Sequence, residues 1–241
     1  MKYAIIAAGE GSRLAQEGVE KPKPLVEING EALIDRLIRI FMDNNADEIV
    51  VICNDRTALV SQHLTHLQED GLRGRRIPLR FMVKSTPSSM HSLEEISKYL
   101  EGAPFCLTTV DTVFREKEFA NYIMALEDAM ESYSADGLMA VTDFIDDEKP
   151  LYISTKENSL HITGFHDEKN DCRLISGGIY GLSSKALQTL HRCIERGESR
   201  MRNFQRALIA DGMKLEAFPF SKILDIDHKT DIEKAEQFIK E

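Results

Sequence analysis

The 241-residue sequence predicts an α/β fold built on a mixed, mostly parallel sheet. Three observations carry this expectation. Through the first half of the chain, apolar runs of strand length alternate with amphipathic stretches of helical period, the pattern of parallel βαβ units. In the second half, four short strand-like runs follow one another with turn residues between them, which points to antiparallel pairing there. Apolar residues make up 42% of the chain and charged residues 29%, a balance that supports a packed core.

The elements read in order as follows. "YAIIAA" is the first strand. "ALIDRLIRIFMDNN" places Leu33, Ile34, Leu37, Ile38 and Phe41 on one helical face. "EIVVIC" is a strand, and "ALVSQHLTHLQ" is a helix with Leu59, Val60, Leu64 and Leu67 expected inward. "LRFMV" is a strand, "MHSLEEISKYL" a helix, "PFCLTTV" a strand ending just before Asp111, and "EFANYIMALEDAME" a helix. The four later strands are "GLMAVT", "LYIST", "LHITGF" and "LISGGIYGL". Helices "SKALQTLHRCIE" and "RNFQRALIADG" follow, the second stopped by Gly212. "LEAFPF" and "KILDI" are late strands, and "KTDIEKAEQFIKE" closes the chain. With no repeat, low-complexity tract or linker, a single domain over 1–241 is the expectation.

Composition narrows the function classes. The formal net charge of −10 argues against extended contact with nucleic acid, which wants a basic face. It leaves room for a small phosphorylated ligand, which needs only a local group of cations. No apolar run approaches the roughly 20 residues of a membrane span. The apolar start is interrupted by Gly9, Glu10 and Arg13, unlike a signal peptide, so a cytoplasmic location is expected. Cys53, Cys106, Cys172 and Cys193 are scattered without a CxxC pair, as expected of reduced core thiols.

The chemistry concentrates in "AAGEGSRLAQEGVEKPKPL", directly after the first strand. Gly9 and Gly11 let backbone amides approach an anion closely. Arg13 adds a planar, permanently charged fork suited to phosphate oxygens. "GSRL" lacks the Gly-Lys-Ser/Thr of a P-loop, and the third glycine of a dinucleotide fingerprint is missing. In "EKPKPL", Pro22 and Pro24 stiffen the chain and bias Lys21 and Lys23 toward extended backbone. The reading is a solvent-facing loop that presents preorganised cations to phosphate.

The opening "AAGEGSRLAQEGVEKPKPLVEINGEALI" resembles the signature "AAGxGxRL…KPKPLVxxxGxxLI" of the nucleotidyltransferases that activate sugar 1-phosphates, above all their KPKPL-type sugar-phosphate and choline-phosphate branches. The resemblance is strong over the first third and patchier beyond it. It implies a Rossmann-like, three-layer α/β/α fold, with a nucleotide-binding N-terminal half and an acceptor-binding C-terminal half. It also implies that Ala7, Ala8, Gly9, Gly11, Ser12 and Arg13 take the triphosphate, with Arg13 and Lys23 catalytic and Ser88 and Ser89 near the base. The metal is Mg²⁺, held by Asp111 of "LTTVDTVF" and by Asp225 of "ILDIDHKTDIEKA". Val110 and Ser176 replace a family glycine and asparagine, and Ser88-Ser89 a Gly-Thr. Asp227, two residues on, competes with Asp225 for the metal or else caps the last helix, while Asp231 reads as a helix-start residue. On the acceptor side the resemblance points to Glu168, Lys169 and Gly178.

The expected reaction joins a nucleoside triphosphate to a phosphomonoester, a sugar 1-phosphate, with release of pyrophosphate. Two alternatives stand beside it: a cytidylyltransferase for an alcohol phosphate such as phosphocholine, and an inactive binding module on the same fold. A glycosyltransferase would want a DxD motif after the mid-chain strand, where "VDTVF" stands instead. Expected partners are the triphosphate and a phosphorylated acceptor, with no nucleic acid and no membrane. Self-association into a homo-oligomer stays open.

Overall fold

The computed structural model describes residues 1–146 and 148–240. In chain order the elements are β1 (Lys2–Ala7), α1 (Ser12–Gln16), a 3₁₀ turn (Lys23–Leu25), β2 (Glu27–Ile28), β3 (Glu31–Ala32), α2 (Leu33–Asp43), β4 (Glu48–Cys53), α3 (Ala58–Asp70), β5 (Leu79–Val83), α4 (Ser89–Leu100), β6 (Phe105–Thr109), β7 (Thr112–Val113), α5 (Glu116–Glu131) and β8 (Gly137–Thr142). They continue as β9 (Tyr152–Thr155), β10 (Ile162–His166), β11 (Leu174–Leu182), α6 (Ala186–Glu195), α7 (Met201–Ala210), β12 (Leu215–Pro219), β13 (Leu224–Asp225) and α8 (Lys229–Lys240).

The main sheet runs β10-β9-β11-β6-β1-β4-β5, with β8 pairing β11 and β12 off this path. β6, β1, β4 and β5 are mutually parallel, as the βαβ pattern requires. β11 is antiparallel to β6, β8 and β9. β1 is apolar on both faces because both are covered. Tyr3, Ile5 and Ala7 join a core with Phe41, Phe119 and Phe238, while Ala4 and Ile6 join the opposite core with Leu93, Ile96 and Leu187. In the first core Tyr3 stacks on Phe41 at 4.4 Å and Phe114 on Phe119 at 4.8 Å. β1 lies between β4 and β6, so the chain crosses over to both sides of it. That makes its carboxyl end the switch point at which open α/β sheets bind ligands.

Helical period alone misplaces one residue. Leu59 is 54% exposed, and α3 packs through Val60, Leu64 and Leu67. The four cysteines are free and buried. The "KILDI" strand shrinks to the two residues of β13, which pair antiparallel with β7 in a separate ribbon. Both strands of this ribbon are too short to leave a period in the sequence. No helix among the described residues is long and apolar enough to cross a membrane.

Candidate active site

The site is built at the carboxyl ends of β1 and β6. After β1 the backbone turns at Gly11, whose φ of +61° lies in the left-handed region that glycine enters without penalty. A Cβ there would stand 3.1 Å from Cβ of Lys23, so the glycine also lets the Lys-Pro segment pack directly on the loop. That segment does not stay extended. It closes at Lys23–Leu25 into a 3₁₀ turn with Pro24 inside it, tied by Val26 N–H donating to Lys23 O at 3.1 Å. Nor does Lys23 face solvent: its side chain is 10% exposed.

Lys23 bridges two carboxylates. Its Nζ lies 2.5 Å from Asp111 Oδ2 and 2.8 Å from Asp227 Oδ1. Arg13 Nη1 donates to the other oxygen of Asp227 at 3.0 Å. Burial alone would lower the Lys23 pKa, but the charges and hydrogen bonds of Asp111 and Asp227 outweigh it and hold the ammonium above its ordinary value. Asp111 arrives directly before β7. Asp227 arrives one residue past Ile226, whose N–H donates to Asp111 O at 3.1 Å. The cap expected of Asp227 comes from Asp231 instead, whose Oδ2 accepts from the N–H groups of Asp227 and His228.

Two cavities meet at this junction. The first, of about 560 Å³, is lined by Ala8, Gly9, Gly11, Ser12, Arg13, Lys23, Ser88, Ser89, Asp111 and Asp227 among others. Ala7 is not on its wall, because as the last residue of β1 it points into the core at 1% exposure. Ser88 faces the cavity but is also the cap of α4, its Oγ accepting from His91 N–H and lying 2.9 Å from His91 Nδ1. Thr86 Oγ1 and Ser92 Oγ, 2.6 Å apart, complete this wall. Val110, in place of the family glycine, buries its side chain at 4% exposure and keeps its N–H on Ile6 O, so the approach to Asp111 stays tied to β1.

The second cavity, of about 290 Å³, is lined by Phe144, Asp146, Glu148, Ser176, Gly177, Asp225, His228, Asp231 and Lys234, and shares Arg13 and Asp227 with the first. Asp225, on the β13 edge opposite Thr112, therefore belongs to the wall of the second cavity. A Cβ at Gly177 would meet Ile223 Cδ1 at 2.2 Å and would displace the end of that side chain. Of the expected acceptor residues, Gly178 stands behind this wall with a φ of +74°, its Cβ direction 3.4 Å from Thr112 Oγ1. Glu168 and Lys169 lie exposed in the turn between β10 and β11 and line neither cavity. The acid of that turn that is engaged is Asp167, which pairs with Arg202 and Arg206 of α7. Sequence reading missed the second cavity's Phe144 and Lys234, whose spacing carries no motif.

The residues present fit a hard divalent cation. Asp111 Oδ1 is buried without a hydrogen-bond partner, and an ammonium already stands between this carboxylate and that of Asp227. Among the described residues no group of three or more His, Cys, Asp or Glu side chains could hold a metal by itself. One or two carboxylates completed by substrate phosphates is the ligand set that Mg²⁺ uses.

Comparisons with known proteins find relatives of the same fold and family. The UTP–glucose-1-phosphate uridylyltransferase AglF of Haloferax volcanii is 24% identical over 248 residues, covering 100% of this chain and 97% of that protein. The structure of a putative glucose-1-phosphate thymidylyltransferase of Bacillus anthracis superposes with a TM-score of 0.83 at 16% identity, covering 100% of this chain and 96% of that one. The inositol-1-phosphate CTP transferase of T. maritima superposes with a TM-score of 0.76 at 18% identity over the same shares. The model of the MobA-like NTP transferase domain matches residues 3–208. The cavity under the glycine loop, which shares Arg13 and Asp227 with the second cavity, is thus carried by a chain that belongs to the MobA-like NTP transferase family and is a nucleotidyltransferase.

Proposed function

We propose that the protein catalyses Mg²⁺-dependent transfer of a nucleotidyl group from a nucleoside triphosphate to a sugar 1-phosphate, giving a nucleoside diphosphate sugar and pyrophosphate. The observation that carries this reading is the junction itself. Arg13 and Asp227 belong to both cavities, and Lys23 stands between the acids at their meeting point. An oxygen of the acceptor phosphate, bound in the second cavity, forms a bond to the α-phosphorus of the triphosphate in the first. The bond from that phosphorus to the bridging oxygen breaks, and pyrophosphate leaves with the electron pair. The nucleophile is already anionic near neutral pH, because a phosphomonoester has its second pKa near about 6. No general base is needed, and among the described residues neither His nor Cys lines the first cavity. The work of the site is to hold two anions in line and neutralise the charge between them.

In this reading the loop from Ala8 to Ser12 takes the triphosphate, Arg13 and Lys23 neutralise its charge, and Asp111 and Asp227 hold the metal. Mg²⁺, when bound, offsets negative charge on the reacting phosphates. The glucose-1-phosphate uridylyltransferase likeness over the whole chain supports a sugar 1-phosphate as acceptor. One observation favours a second reading, cytidylyl transfer to a cationic alcohol phosphate such as phosphocholine. Asp146, Glu148, Asp225 and Asp231 line the second cavity beside Phe144, whose ring already carries the Lys222 ammonium 4.4 Å from its centroid. Pyrophosphate release across a panel of four triphosphates against glucose 1-phosphate, mannose 1-phosphate and phosphocholine tests both. A sugar-phosphate pair with the highest kcat/KM supports the first reading, a CTP–phosphocholine pair the second. Triphosphate binding without turnover on any pair would mean a binding module.

A further inference from the structure

α2 buries a charge that neither cavity contains. Arg36 is 3% exposed, and a guanidinium withdrawn from water needs a reason to be there. A salt bridge does not supply it. The nearest carboxylate, Glu116, is 3.9 Å from Arg36 Nη2 and is held by two hydrogen bonds, 2.8 and 2.9 Å long, from Arg39. Arg36 Nη1 has no hydrogen-bond partner. The guanidinium instead donates from Nη2 to Phe114 O at 2.7 Å, with its carbon 5.4 Å from the Phe114 ring centroid. Burial lowers the Arg36 pKa to about 10, which leaves the group charged at neutral pH.

Phe114 directly follows β7, and β7 has a single ladder partner, β13. The ribbon consists of Val113 opposite Leu224 and Thr112 opposite Asp225, extended by the bond from Ile226 N–H to Asp111 O. Asp111 leads into this ribbon and Asp227 leaves it. Two strands of two residues are marginal without an anchor. On its other side, α2 grows out of the Lys23 segment, since Leu33 N–H donates to Val26 O at 2.9 Å and Val26 N–H to Lys23 O at 3.1 Å. Arg36 thus links the unit that carries Lys23 to the ribbon that carries both acids.

We propose that Arg36 is a positioning residue, whose hydrogen bond to Phe114 O fixes the β7–β13 ribbon and thereby sets Asp111 and Asp227 against Lys23. The proposal rests on the reading of these acids as the transfer centre, so its test includes a readout that needs no turnover. Arg36→Met keeps the length of the side chain and removes the bond; Arg36→Lys keeps the charge and loses the fork. Arg39→Met is the control, since it breaks the pairs with Glu31 and Glu116 on the same helix without touching the ribbon. In Arg36→Met the amides of residues 112–114 and 224–226 exchange about tenfold faster, as a locally loosened segment does. The half-saturating Mg²⁺ concentration rises about tenfold, the effect of losing an outer-shell support. The kcat falls by about 10²-fold from misplacement of the reacting groups, with the triphosphate KM nearly unchanged. Arg36→Lys lies between parent and Arg36→Met, and it decides the question if Arg36→Met does not fold. Arg39→Met lowers the melting temperature and moves none of the three. Ribbon exchange and Mg²⁺ midpoint equal to the parent's, or shifted no more than in Arg39→Met, overturn the proposal. Absence of transfer in the parent, with ribbon exchange still responding to Arg36, would overturn the functional reading and leave the anchoring role standing.

Discussion

Lys23→Ala is the perturbation whose consequences the structure specifies most fully. Removing the ammonium leaves Asp111 and Asp227 facing each other with oxygens no more than about 5 Å apart, a repulsion of at least roughly 3 kcal/mol at an effective dielectric of about 20. Asp227 is 44% exposed and can turn toward solvent, which reduces the net cost to about 1–2 kcal/mol. For a chain of this size that corresponds to a fall in melting temperature of about 3–6 °C. A divalent cation binding the same two carboxylates takes over the neutralising role, so Mg²⁺ raises the melting temperature of Lys23→Ala more than that of the parent. Turnover behaves differently. The positive charge aimed at the reacting phosphates is gone, and kcat falls by about 10²–10³-fold even in saturating Mg²⁺. Thermal melts with EDTA or Mg²⁺, alongside steady-state pyrophosphate release, measure both effects. Near-parental kcat, or a melting deficit that Mg²⁺ leaves unchanged, would refute the reasoning.

Three further outcomes follow from the geometry. Asp227→Asn lowers kcat by about 10²-fold, whereas Asp225→Asn, on the wall of the second cavity, acts mainly through the acceptor KM; steady-state kinetics on both variants separate them. Gly11→Ala costs about 1 kcal/mol for a left-handed backbone and presses its methyl toward Lys23 Cβ, so calorimetry shows a lower melting temperature and kinetics a lower kcat. His63 is held above its ordinary 6.5 by the hydrogen bond to Asp35, against burial, which pulls the other way. The stability it adds is fully present below 6.5 and is lost as pH rises through the elevated folded value. The melting difference between parent and His63→Gln is therefore largest below the ordinary 6.5 and shrinks as the pH rises above it; a difference that grows with pH contradicts the assignment.

Much of this architecture is legible before folding because the signals are local. The β1 run, the two glycines, Arg13 and the Lys-Pro segment lie within 25 residues of one another, so one stretch of chain delivers nearly half of the first cavity's wall. The apolar "PFCLTT" run likewise carries Asp111 to a carboxyl strand end. What escapes is decided by contacts distant in sequence. The choice between Asp225 and Asp227 depends on where β13 stops and α8 starts, and both acids point away from buried Ile226, so alternation alone cannot separate them. Prolines suggest an extended, solvent-facing Lys23, but packing against Gly11 and two acids supplied from residues 111 and 227 draws it into a buried turn. Glu168 and Lys169 match a family pattern in sequence yet sit exposed in a turn and line neither cavity. A buried Arg36 leaves no trace in helical period beyond a polar residue beside an apolar stripe.

The central claim is that the junction of Lys23, Asp111 and Asp227 is where a nucleotidyl group changes hands. Following the α-phosphorus of a labelled triphosphate tests it most directly. With a sugar 1-phosphate and Mg²⁺ present, the account predicts that the label moves into a nucleoside diphosphate sugar in step with pyrophosphate release, and that Asp111→Asn and Asp227→Asn, both folded, slow the transfer by about 10²-fold. Label that never leaves the triphosphate with any acceptor, or that moves equally well in those two variants, would contradict it.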